Sequence, residues 1–130
     1  MSRSEQESGT TVFILAESAA VTQVMTDLEG HGITARRVDA LGSAALSDIL
    51  LTAMVASTSI PALITTLVRN FRRGVLIDVR DGEVSIRRDK SLPLGTIVVC
   101  DKEGNIVYKD AGGDVPSAVD ALRPMLEADS

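Results

Sequence analysis

The chain has 130 residues and a formal net charge of −5, enough length for one domain whose core needs neither metal nor disulfide. Aromatic residues make up 2% of it (Phe13, Phe71 and Tyr108), and the charge is acidic, which argues against a nucleic-acid partner: such domains are normally basic, with aromatic rings for stacking. A single cysteine, Cys100, excludes an internal disulfide and fits a reducing compartment.

The opening "MSRSEQESGTT" is polar and lacks the charged-then-apolar layout of a signal peptide. Residues 1–10 read as a disordered lead before a single domain over 11–128, and the expected location is the cytoplasm. "TVFILAES" is short, apolar and β-rich, which predicts a buried strand from Thr11 to Ala16. In "SAAVTQVMTDLEGHG" the residues Val21, Val24, Met25 and Leu28 recur at helical spacing. Ser18 is placed to cap that helix, and Gly30 to end it in a left-handed conformation. "ITARRVDA" reads as a second strand, although Ile33, Ala35 and Val38 cannot share one face.

Ile49 to Val68 contains no charged residue, and Arg69, Arg72 and Arg73 follow directly. The second half is amphipathic. Ile60, Leu63, Ile64, Leu67, Val68 and Phe71 form one stripe, with Ser59 as the cap and Pro61 in the first turn. The first half, Ile49 to Val55, is apolar nearly all round and reads as another helix. Leu51 and Val55 then point away from the Ile49/Leu50/Met54 side and need a separate cover, which a second copy of the chain would supply. Two readings stay open: a buried core or oligomer interface, and apolar helices over 41–68 inserted in a membrane with the arginines outside.

"VLIDVR-DG-EVSIRR" predicts a two-residue hairpin around Asp81-Gly82 that pairs Val79 with Val84 and Ile77 with Ile86. A second hairpin follows over Thr96 to Asp110, with Gly104 and Asn105 available for positive φ. The chain closes on a helix capped by Asp114, with Val115, Ala118, Val119 and Leu122 on one face and Pro124 expected to kink or end it. The expected fold is therefore α+β: strand–helix–strand, two central apolar helices, two hairpins and a C-terminal helix, with the helices on one mostly antiparallel sheet.

Catalytic chemistry is not evident. His31 is the only histidine and lies between two glycines. One histidine and one cysteine cannot build a zinc site, and "GSAALSD" and "KDAGGDV" lack the spacing and lysine of a phosphate loop. Cys100 reads as a small buried hydrophobe beside Asp101, the wrong sign for a nucleophilic thiolate. No catalytic, cofactor or metal residue is assigned. The arginines form clusters at element ends: Arg36 and Arg37; Arg69, Arg72 and Arg73; and Arg87 and Arg88 with Lys90. Where they converge, they would make a cationic patch on an acidic protein, and Arg69, Arg72, Arg73, Arg87 and Arg88 are the candidates for docking a partner. Ile49, Leu51, Met54 and Val55 are the candidate oligomer interface.

The stretch "LPLGTIVVCDKEGNIVYKDAGG" with its helix is similar to the last hairpin and helix of thioredoxin-like proteins, but the paired-cysteine motif is absent. Over most of its length the chain resembles the effector-associated constant component family of bacterial conflict (defence) systems. The matching pieces are "ALGSAALSDILLTAMVASTSIPALITTLVRNFRRG" and "VLIDVRDGEVSIRR", with "STSIP" where a glycine-rich break is the family's pattern and an added second hairpin. The resemblance implies a non-enzymatic adaptor that couples a separate effector, such as a peptidase, to a sensing module. It supplies no catalytic residues.

Overall fold

The computed structural model describes residues 9–38, 48–71 and 74–128. Seven strands form one sheet, β1 (Gly9–Glu17), β2 (Ala35–Arg37), β3 (Asp48–Ala56), β4 (Gly74–Arg80), β5 (Glu83–Asp89), β6 (Ile97–Cys100) and β7 (Ile106–Asp110), in the order β2-β3-β1-β5-β4-β6-β7. Among the described residues there are three α-helices, α1 (Val21–Glu29), α2 (Ile60–Asn70) and α3 (Val115–Ala128). Four strand pairings are antiparallel, and two, β1 with β5 and β4 with β6, are parallel. The α+β expectation holds, with the helices in a layer on one face of a mostly antiparallel sheet.

The longest pairing in the sheet is β1 with β3 over nine residues, Gly9 opposite Ala56 through to Glu17 opposite Asp48. Each of these strands is nine residues long, runs into a three-residue 3₁₀ turn (Ser18–Ala20 and Ser57–Ser59) and then into a helix. Alternation along β1 turns Val12, Ile14 and Ala16 toward the helices, and along β3 it does the same for Leu51, Ala53 and Val55. These six meet Val21, Val24 and Leu28 of α1 and Ile60, Leu63, Ile64 and Leu67 of α2 in one continuous core.

This overturns the reading of Ile49 to Val55 as a helix. Leu, Ala and Met favour helices in isolation, and a run that is apolar all round carries no period with which to tell helix from strand. Here the pairing with β1 decides. It also overturns the picture of two apolar helices over 41–68: the run from Ile49 to Val68 is a strand, a short turn and a helix of eleven residues. Residues 41–47 lie outside the described residues. Among those described, no helix is long and apolar enough to cross a membrane.

The other elements follow the sequence more closely. The α2 stripe is buried, with Phe71 closing it, and Pro61 sits in the first turn. Ser59 occupies the cap position, but its side chain makes no capping bond. Ser18 is not the α1 cap, because the 3₁₀ turn delays the helix and leaves Ala20 there. Gly30 stays right-handed. The left-handed residue is Gly32 at φ 78°, followed by the Ile33 N–H donating to the Leu28 carbonyl at 2.9 Å. That bond spans the last turn as in a Schellman ending. In α3 the Asp114 carboxylate accepts from the Ser117 N–H at 3.2 Å and its hydroxyl at 2.7 Å, and the helix continues through Pro124.

The β4–β5 hairpin has the expected register, Val79 opposite Val84 and Ile77 opposite Ile86, across a turn with φ of 51° at Asp81 and 78° at Gly82. Positive φ at both positions is the type I′ signature. Gly104, at φ 87°, turns the β6–β7 hairpin, where the Asp101 carboxylate accepts from the Glu103 and Asn105 amides. Gly74 begins β4 because Leu92 lies on top of it: a Cβ there would stand 2.3 Å from the Leu92 Cβ.

One polar contact fastens the helix layer. Asn70 Nδ2 at the end of α2 donates to the Asp27 carboxylate of α1 at 3.0 Å and to the Thr66 carbonyl at 2.8 Å, and Gln23 Nε2 donates to the same carboxylate at 2.7 Å. The Asn70 bond, then the Gln23 bond, holds the Asp27 carboxyl below its ordinary value.

Two predictions follow from this architecture. Leu51 is fully buried, so Leu51→Ala should destabilise by about 2–5 kcal/mol in urea unfolding; a loss near zero would mean that β3 does not face the core. Because the Asp27 pKa is depressed in the folded state, its contribution is present above the unfolded value of about 3.9 and is lost as pH falls through the folded one. Asn70→Ala should therefore lower Tm at neutral pH, and its gap from wild type should narrow in melts below about pH 4.

Candidate functional site

The helices cover one face of the sheet. On the other face, cross-strand register lays the outward residues in rows. One row runs Arg36, Thr52, Phe13, Ser85, Asp78 and Cys100, from β2 across to β6. The next runs Leu50, Leu15, Arg87, Leu76, Val98 and Lys109, from β3 across to β7. Val98 and Cys100 are buried yet lie outside the core formed by the helices, as their outward position requires.

Phe13, Leu15, Leu50 and Leu76 are half-buried. They make an apolar strip on β3, β1 and β4, interrupted by Ser85 and Arg87 of β5. At its β2 side a groove of about 520 Å³ is lined by Thr11, Gly32, Thr34, Arg36, Thr52, Ala53 and Met54, with no acidic side chain. At the opposite end Leu92 laps over Gly74. The charges in these two rows are Arg36 near one edge, Arg87 and Asp78 in contact at 3.9 Å, and Lys109 at the far edge.

The candidate interface residues divide. Leu51 and Val55, expected at a surface, are fully buried against the helices, because strand alternation places them with Ala53. They cannot touch a second copy. Ile49 is half-buried at the end of β3 and packs on the core, and Met54, 62% exposed, opens onto the free face beside Thr11.

Among the described residues the candidate docking arginines Arg69, Arg87 and Arg88 do not come together. Arg69 is exposed in the last turn of α2, on the helix side. Arg87 is on the opposite face with its side chain 52% exposed, so the sheet stands between them. Arg88, its side chain 15% exposed, bonds Glu17 at 3.1 Å and is tied into the structure where β1 and β5 end. Arg72 and Arg73 lie outside the described residues.

His31 is exposed in the turn after α1. Among the described residues, no group of three or more His, Cys, Asp and Glu side chains is placed to hold a metal ion. Cys100 is buried, and that burial, with Asp78 and Asp101 nearby, pushes its thiol above the ordinary range. The sequence reading missed Phe13, Leu15 and Asp78 as members of one surface. The available signal was alternation: each is the odd neighbour of a buried branched residue in its strand.

The chain matches no protein-family model, no curated protein and no solved structure.

A thiol held neutral and out of solvent should react slowly. Native protein at about pH 7.5 should label with a chromogenic disulfide reagent much more slowly than protein in denaturing urea. Equal rates would mean that the outward face at β6 is open to reagents.

Proposed function

We propose that the chain is a non-enzymatic interaction component: an adaptor that self-associates and couples a separate effector, such as a peptidase, to a sensing module of a bacterial conflict system. The observation that carries this reading is a sheet face on which no helix packs among the described residues, with Phe13, Leu15, Leu50 and Leu76 on three of its strands, β1, β3 and β4. An antiparallel sheet whose second face meets only water normally alternates apolar inward and polar outward. Here the outward positions of β1, β3 and β4 keep large apolar side chains at their centre, which favours a protein partner on that side. The resemblance to the effector-associated constant components supports the adaptor role.

The test is co-expression of the tagged chain with the proteins encoded beside it. An effector should co-elute at fixed stoichiometry. Met54→Glu, at an exposed position on the same face, should lower its capture at least about tenfold, the equivalent of about 1.4 kcal/mol. A chain that elutes free of every neighbour would remove the adaptor role.

A further inference from the structure

We infer that the helix-free face is a self-complementary interface, on which a second copy of this chain packs sheet to sheet about a two-fold axis running close to β1. The inference rests on the self-association in the proposed function and names the surface and geometry that would produce it.

The argument is one of position. In the strand order β2-β3-β1-β5-β4, Arg36 lies two strands to one side of β1 and Asp78 two strands to the other. Both belong to the same cross-strand row through Phe13. Strands are about 4.8 Å apart, so each charge stands about 10 Å from the β1 line. A two-fold axis along that line exchanges the two sides and keeps each row on itself. It sets Arg36 over the partner's Asp78, and Asp78 over the partner's Arg36. It also brings Thr52 to the partner's Ser85, two hydroxyls, and puts Phe13 and Leu15 on their own copies at the centre. An isologous interface needs this property: the patch must complement itself.

A two-fold axis at right angles to this one fails. An axis lying along the row would stack Arg36 on the partner's Arg36 and Asp78 on the partner's Asp78, and like charges face to face oppose association. Pairing through sheet edges meets its own obstacles. β2 has only three residues, and β7 is interrupted where the register slips between Val99–Tyr108 and Cys100–Ile106.

Among the described residues Arg36 has no ion pair; the Asp78 side chain is 17% exposed and touches Arg87 at 3.9 Å, a contact it would exchange for the partner's Arg36. Leu50 would lie beneath the aliphatic stem of the partner's Arg87, a contact that long basic side chains make readily. About the β1 line the five strands from β2 to β4 overlap their copies, about 24 Å by about 20 Å or about 480 Å² in projection, the size of a small interface. A standard interface takes about 800 Å² from each partner once side-chain relief is included. Packed sheets sit about 10 Å apart with strands within about 30° of alignment, a distance an arginine and an aspartate can bridge between them.

The experiment is a charge exchange read by light scattering coupled to gel filtration. Wild-type protein at about 100 µM should run as a dimer, a population that needs a Kd well below that concentration. Arg36→Asp and Asp78→Arg should each run as monomers with wild-type circular dichroism. An equimolar mixture of the two should recover the dimer mass, because in the mixed pair opposite charges meet at both positions. A wild-type monomer at this concentration overturns both the interface and self-association. A wild-type dimer unaffected by either reversal, or reversals that stay monomeric when mixed, overturns this interface and leaves self-association to another surface.

If Asp78→Arg fails to fold, a second measurement decides. Phe13→Cys in a Cys100→Ser background should cross-link to itself in high yield with a bismaleimide spanning about 10 Å, since residue 13 faces its own copy at the axis. Cross-linking no better than that of an exposed control such as Thr65→Cys on the α2 surface overturns the geometry.

Discussion

The rest of the molecule is arranged around the nine-residue antiparallel pairing of β1 with β3. It places two strand-turn-helix units head to tail, so that both helices fall on the same face of the sheet. Because strand side chains alternate, that single choice of register decides which six residues enter the core and which remain outside. The helix contacts then enforce the register: a slip of one residue would bring Leu50, Thr52 and Met54 under α1 and α2 and expel Leu51 and Val55. The Asp27–Asn70 contact joins the two helices and fixes one unit against the other.

The same alternation explains why part of the fold could be read in advance and part could not. The β4–β5 hairpin was legible because all its information is local. Asp81-Gly82 demands positive φ twice, and counting outward assigns every pair. The stripe on α2 and the Asp114 cap were legible for the same reason. β3 was not. Its outward residues Leu50 and Met54 are nearly as apolar as its inward ones, so the alternation that marks a strand is erased in the sequence. Only the pairing with β1, some forty residues earlier, restores it. Ser18 and Gly30 misled for a smaller reason: a 3₁₀ turn before α1 and an extra turn after it shift the ends past the residues that looked suited to them.

The candidate site was the least legible feature. Arg36, Phe13 and Asp78 are separated by tens of residues and become one row only through successive strand pairings. Local sequence displayed the arginines as clusters at element ends. The fold disperses them: Arg69 to the helix layer, Arg87 to the opposite side of the sheet, Arg88 to a bond with Glu17. Clustering along a chain is weak evidence for clustering in space wherever a sheet lies between.

The slipped register in β7 has a consequence for higher assembly. An extra residue, Val107, breaks the ladder at one margin of the sheet, and Lys109 adds a charge beside it. At the other margin β2 offers three residues, too few to template a strand. Sideways addition of copies, the route by which exposed sheets grow into open filaments, is thus poorly supported at both ends. Contact through the broad face saturates once that face is occupied. Under the proposed face-to-face pairing, assembly would stop at two copies.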